Sequence, residues 1–434
     1  MKVLIASIIW LSLLVAHAQE VVIVPVGQAE LKSSGIAIGV ISGASSKMIA
    51  QLDQIKEIMQ NDFSFYRKIF AVVKNPWERP STTPDYDYLK QKQLEYYVVL
   101  QSEGAAVVAS FFDIAQNKSL GVSRHDLNEP LLRQAAHHLS DAFYQAVTGK
   151  ASIFKSKMIF VSDRASSGKK QMKELYSMDF DGANIKRLTF HQGIVLSPAF
   201  SHSGKKVLYS LIREDNSRNR NINLFLLDLE TMQNSIISSR PGINSGAVFL
   251  DSDNEVLVTL SHSGNAEIYK MNLLNSALTS VTKHFAIDVD PSINRDGSLM
   301  TFLSGRSGNP MIYTADPRGV EKDVKRISYV GKFNGTPRFS PDGKEIVFSS
   351  WLDERFDLFR IDANGANLSR LTKNFGSNED PTYSNDGEFI AFTSKRVLSR
   401  TSATQQIYII DREGEVLGNI TKNFGNCTSP RWSR

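Results

Sequence analysis

One phrase returns through the last two-thirds of the chain, and a recurring unit constrains a fold more tightly than any isolated motif. It reads Pro-x-aromatic-Ser-x-Asp-Gly-Lys, an apolar stretch, a second apolar stretch ending in Asp, a turn, and then Arg-Leu-Thr. The clearest copy starts at Pro337 and passes through Phe339, Ser340, Asp342 and Gly343 to Ile346-Val347-Phe348. It continues with Leu358 to Asp362, turns at Asn364-Gly365 and closes on Arg370-Leu371-Thr372. Other copies start at Pro198, Pro291 and Pro381, and a degenerate one has Ala247 where the proline should stand. The starts lie 44 to 49 residues apart, close to the period of propeller blades.

Each copy spells strand after strand. Asp-Gly and Asn-Gly supply the positive-φ residues that tight hairpin turns demand, and Val, Ile, Phe and Tyr fill the short runs between them. Proline fits the start of a strand, where no ladder N–H is required of it. A four-stranded blade cannot bury both faces alone, so blades stack around an axis.

The first copy begins in its middle: Lys157 to Val161 is a second strand with no Pro-x-aromatic strand before it. The missing piece is Pro430-Arg431-Trp432-Ser433 at the far end. The expectation is a six-bladed β-propeller over 155–434, with the C-terminal strand completing the first blade and removing the open edges. Trp432 reads as blade core.

Residues 35–150 lack the repeat and read as a small α/β domain. Strands are expected at Gly35–Ile41, Tyr96–Leu100 and Ala105–Ile114. Apolar residues at helical spacing predict helices over Ser45–Asn61 and Pro130–Val147, the second stopped by Gly149. Residues 1–18 look like a signal peptide: Lys2, an apolar run from Val3 to Val15, and the small-x-small site Ala16-His17-Ala18. That run is shorter than the roughly 20 residues of a membrane-spanning helix, so the expected product is a soluble protein outside the cytoplasm, beginning at Gln19. Residues 19–34 form an N-terminal arm, in which Glu20 to Val24 has strand propensity and could either stay as an edge strand of its own domain or be released to add to a partner's sheet edge.

The chemistry of the common enzyme classes does not surface. Gly305-Arg306-Ser307-Gly308 misses the spacing of a Gly-x-Ser-x-Gly elbow. Gly168-Lys169-Lys170 lacks the upstream glycine and the Ser/Thr of a phosphate loop. His137-His138 lacks HExxH spacing, and Asp179-Phe180-Asp181-Gly182 reads as a hairpin turn and not a calcium loop. Basic and acidic residues are interspersed, with a net charge of about +4 once Lys2 is removed, which argues against nucleic acid. The single cysteine, Cys427, rules out an intrachain disulfide. No enzyme, cofactor or resident metal is expected.

The order of these features resembles the TolB family of the Tol–Pal cell-envelope system. The resemblance rests on Glu20-Val21-Val22-Ile23-Val24, on Gly35 to Val40, and on the Ala135-to-Gly149 helix leading to Met158-Ile159-Phe160-Val161. The propeller copies and the terminal Ser429-Pro430-Arg431-Trp432-Ser433 complete it. It implies a monomeric periplasmic scaffold that links the lipoprotein Pal to TolA for outer-membrane integrity and cell division, with other outer-membrane proteins as further partners. It also implies that Gln19, Glu20, Val21, Val22, Ile23 and Val24 contact TolA. Pal would be received by the loops leading into each Pro-x-aromatic strand, here Ser197, Asn244, Val289, Asp290, Asn334, Glu379, Asp380 and Thr428. The alternatives are a propeller that binds glycan or peptidoglycan fragments, which asks for exposed Trp or Tyr on one face, and a hydrolase or lyase built in the central funnel.

Overall fold

A computed structural model describes residues 33–41, 45–74, 76, 80–127, 131–167, 171–213 and 221–433. The expected signal peptide and the arm residues Gln19 to Val24 lie outside these described residues.

In the front domain, the strands Ser34–Val40 (β1), Phe70–Val72 (β2), Tyr96–Glu103 (β3), Ala106–Asp113 (β4) and Lys118–Asp126 (β5) form one sheet in the order β2-β1-β3-β4-β5. β1 lies parallel to β2 and β3, while β3, β4 and β5 run antiparallel. Helix Ser46–Phe65 (α1) begins where the Ser45 hydroxyl accepts the Met48 N–H. A short helix, Tyr86–Gln91 (α2), and Leu132–Thr148 (α3) complete the domain, and α3 ends on Gly149 at φ 71°.

Six four-stranded sheets follow, and their Pro-x-aromatic strands touch one another in a closed ring. Blades 2 to 6 open with the strands Ile194–Phe200, Asn244–Phe249, Asp288–Ile293, Asn334–Phe339 and Ser377–Tyr383. Blade 1 takes its inner strand from the other end of the chain: Cys427–Trp432 pairs antiparallel with Lys157–Ser162, Trp432 opposite Met158 and Thr428 opposite Val161. Around that ladder the Ser433 N–H donates to the Lys157 carbonyl (2.8 Å), and the Asn426 N–H donates to Asp163 Oδ1 (2.7 Å). The Trp432 indole N–H reaches Ser156 Oγ at 2.6 Å, and the ring is buried as expected.

The recurring phrase has a local cause at each end. In blade 5 the Ser340 hydroxyl donates to Asp342 (2.6 Å) and accepts the Glu345 N–H (3.0 Å), while Gly343 takes φ 71°. At the other end the Thr372 hydroxyl accepts the Leu358 N–H (2.9 Å) and donates to the fully buried Asp357 (3.1 Å), which Arg370 also contacts. Thr189 with Glu174, and Thr282 with Glu267, repeat this lock between the third and fourth strands. A buried carboxylate is tolerated here because charged and neutral donors surround it.

The front domain rests on the face that carries the Asp-Gly hairpins. One apolar cluster runs from Leu52, Phe63 and Tyr66 through Phe143 and Phe154 into Phe180, Phe389 and Trp432 of blades 1 and 6. The Tyr66 hydroxyl donates to Asp386 at 2.5 Å and accepts the Ile153 N–H at 3.0 Å. Lys68 pairs with Asp411 (2.6 Å), and Arg133 with Asp179 and Asp181.

Replacing Thr372 with Val should cost about 1–3 kcal/mol in chemical denaturation, because the Leu358 N–H and Asp357 lose a partner in a dry position. Thr372→Ser, which keeps the hydroxyl, should cost clearly less. Equal losses for the two would dismiss the hydroxyl lock.

Candidate functional site: the channel and its lead-in face

A six-fold irregularity shapes the channel. In every inner strand the residue before the proline position has positive φ: Ser197 (47°), Gly246 (61°), Asp290 (54°), Thr336 (50°), Asp380 (54°) and Ser429 (53°). The strand register shifts at each of these places. Only glycine adopts that backbone freely, so five non-glycine residues here mark a bulge imposed by the fold. A bulge re-aims the side chains that follow it, and this one recurs around the axis.

The expected lead-in residues divide into two sets. Ser197, Val289, Asp290, Glu379, Asp380 and Thr428 are half-buried on the inner strands. Asp290 accepts from Arg338 (2.9 Å), and Asp380 accepts from the Ser429 hydroxyl (3.0 Å). Asn244 and Asn334, by contrast, are fully buried and turned into their own loops. Asn244 Nδ2 donates to the carbonyls of Ile222 (2.9 Å) and Arg240 (2.7 Å), and Asn334 Nδ2 to that of Val330 (2.8 Å). Their geometry sets loop shape and leaves no side chain for a partner. Both stand at the first position of an inner strand, where turn-forming side chains satisfy the backbone of the preceding loop.

The large exposed groups of this face follow the Arg-Leu-Thr phrase, Phe190 and Tyr329 one residue beyond it and Phe285 three. Phe190 (69% exposed), Phe285 (88%) and Tyr329 (66%) ring the lead-in side, joined by Phe333 and Trp351. Arg187 stacks over Phe190 with 4.4 Å to the ring centre, and Arg326 over Tyr329 with 4.3 Å. Blade 6 adds a long hairpin, Phe389–Ser399 with Ser402–Asp411, whose Val397 and Leu398 are exposed. The residue just past the phrase is aromatic in two copies, Phe190 and Tyr329, and lysine in three, Lys283, Lys373 and Lys422, so the repeat carries no uniform signal for the rim.

Burial, and next the neighbouring Asp380, push the Glu379 carboxyl up to about 7, while Lys395 pulls the other way. Among the described residues, one group of three could converge on a metal: Asp62, His137 and Asp181. It sits between α1, α3 and blade 1, where His137 Nδ1 lies 3.0 Å from Asp62 and the Arg133 guanidinium donates to Asp181. A cation of the protein's own thus already serves that carboxylate. His138 instead packs beside His125, ring centres 5.0 Å apart. No described helix is long and apolar enough to cross a membrane.

A closed six-bladed propeller with a small α/β domain on its hairpin face, and an aromatic rim on the other, defines a recognisable class of two-domain propeller protein. The chain belongs to the TolB family. The family profile described as "TolB beta propeller domain" matches residues 144–336 and 322–399. A "Tol-Pal system protein TolB" of Francisella tularensis subsp. holarctica is 26% identical over 357 residues, 81% of this chain and 79% of that protein. A "Protein TolB homolog" of Chlorobium luteolum is 31% identical over 185 residues, 43% of this chain, and that match spans only 40% of the relative's own length. TolB from Acinetobacter baumannii shares the fold, with a TM-score of 0.79 at 24% identity, covering 93% of this chain and 97% of that one.

The sign of the Glu379 effect is fixed by its direction. In the unfolded chain this acid loses its proton near 4.5, and in the fold it holds it to about 7. Between those values the folded state binds more protons, so stability should fall as pH rises through that window, by at most about 3 kcal/mol. Urea midpoints at about pH 5 and about pH 8 should show this slope, and Glu379→Gln should flatten it. An unchanged slope in the variant would place the titration elsewhere.

Proposed function

We propose that this chain is a periplasmic, non-enzymatic scaffold of a Tol–Pal-type system, exported by residues 1–18 and built to bind two envelope proteins. Relationship to a Tol-Pal system protein over most of both chains supports the family context. The observation that carries the binding role is the lead-in face: Phe190, Phe285 and Tyr329 stand largely exposed around a polar channel mouth. Exposed aromatics beside stacked arginines are the side chains that most often dominate protein interfaces. Monomeric proteins keep few such groups together without a partner.

In this reading a Pal-type lipoprotein seats on that rim, with Ser197, Val289, Asp290, Glu379, Asp380 and Thr428 beneath it. The segment Gln19 to Val24 is the TolA contact. If docking on the propeller alters the freedom of the arm, each partner changes the other's affinity by the same factor. Two of the three channel carboxylates, Asp290 and Asp380, are engaged by Arg338 and Ser429, which favours a structural over a catalytic use. The competing reading, a glycan-binding propeller, draws on Tyr329 and Trp351 as exposed rings of the same face.

The test is a binding titration of the mature protein with the Pal-type lipoprotein of its own organism. Phe285→Ala with Tyr329→Ala should weaken binding roughly tenfold or more while leaving the melting temperature in place, since both rings are solvent-facing. Removal of residues 19–30 should abolish TolA binding in the same assay. Unchanged lipoprotein affinity, or binding of muropeptides in its place, would overturn the scaffold reading.

A further inference from the structure

At the hairpin end of the channel, opposite the aromatic rim, lies a cavity of about 560 Å³. Its walls come from the residue after the proline position of each inner strand, and the six equivalents differ in kind. Blades 2, 3, 4 and 6 place small or short side chains there: Ala199, Val248, Ser292 and Thr382. Blades 5 and 1, on either side of blade 6, place Arg338 and Arg431.

The two guanidiniums are unequally served. Arg338 donates to Asp290 at 2.9 Å, but its buried Nε has no partner. Arg431 is 9% exposed, and its hydrogen bond is from Nη1 to the carbonyl of the adjacent Pro430, at 2.7 Å. Among the described residues it forms no ion pair. Burial, and then Arg338, bring its guanidinium down to about 10. Asp380 and Asp290 act on it in the opposite direction without forming an ion pair with it, whereas a buried arginine normally has a carboxylate or phosphate directly across from its planar fork; the unfilled fork is the chemical clue.

The neighbouring hydroxyls fit the same reading. Ser292 Oγ accepts the Phe339 N–H and Thr382 Oγ1 accepts the Trp432 N–H, each at 3.4 Å, and each hydroxyl keeps its proton to donate. Two buried cationic forks and two hydroxyl donors therefore line one chamber, with the exposed Arg295 also on its wall, and hydrogen bonds from such charged donors to an anion are the strong ones.

We infer that the hairpin end of the channel is a binding site for a small oxyanion, a carboxylate or a phosphate, held between Arg431 and Arg338. The site is separate from the lead-in face, and the two readings stand or fall independently. The anion supplies the direct partner that the Arg431 fork lacks, and so stabilises the ring at the blade where the two ends of the chain meet.

The experiment is thermal unfolding and calorimetric titration of the mature protein in chloride buffer at constant ionic strength, with inorganic phosphate or citrate added. Wild type should gain melting temperature with the logarithm of anion concentration, and the two additions distinguish phosphate from carboxylate preference. Arg431→Met should melt higher than wild type in chloride, because a buried charge without a partner is removed, and should bind the preferred anion roughly tenfold or more weakly. Arg431→Lys, which keeps the charge and loses the fork, should bind with intermediate affinity. Should Arg431→Met fail to fold, ¹⁵N-arginine spectra of wild type give the answer directly: the Nε–H signals of Arg431 and Arg338 should move on anion addition. No response to either anion, an undiminished response in Arg431→Met, or shifts confined to other arginines would overturn the proposal.

Discussion

The pairing of Cys427–Trp432 with Lys157–Ser162 is the constraint on which the remaining structure depends. A propeller left open would present an unpaired edge on its first blade and a gap beside its last. Closure by a strand from the far end of the chain removes both, at the entropic cost of joining residues about 270 positions apart. Such a cost rises only slowly with loop length, so one well-packed strand suffices to offset it. The Trp432 ring supplies much of that packing, and its indole N–H finds Ser156 in the segment that joins the two domains.

That placement has consequences in both directions from the seam. On the hairpin face, blades 1 and 6 form the floor on which the front domain sits, through Phe180, Phe389 and the Tyr66–Asp386 hydrogen bond. Along the axis, the seam brings Arg431 into line with Arg338 and the positive-φ Ser429 into line with Asp380. Among the described residues nothing covers the opposite face, and there the aromatic rim stands. Rim and chamber are two results of one closed ring with the front domain on its hairpin face.

Much of this was legible in the sequence because each word of the repeat answers a local physical need. Ser340 and Asp342 cap a hairpin, and Thr372 locks two strands through Asp357, so these residues recur wherever a blade recurs. The split first blade could be read from the same grammar. Other features could not. The strands Phe70–Val72 and Lys118–Asp126 and the helix Tyr86–Gln91 are short or lie at the sheet edge, where burial is partial and periodicity weak. The inward turn of Asn244 and Asn334 depends on the backbone of neighbouring loops, which no pattern of residue types records. The aromatic rim has no sequence signature, because Phe190 and Tyr329 stand one residue and Phe285 three residues past the phrase that defines the repeat, where single apolar residues look ordinary. Arg338 and Arg431 occupy the variable position of Pro-x-aromatic, and only the closed ring reveals that they share a chamber.

Hydrogen exchange at the seam tests the central idea most directly. If the terminal strand is an integral part of blade 1, the amides of 427–432 and of 158–162 exchange together, at the slow rate of the most protected strands in the other blades. Rapid exchange of 427–432 while 158–162 and the remaining blades stay protected would contradict the account, since the ring would then hold without its closing strand.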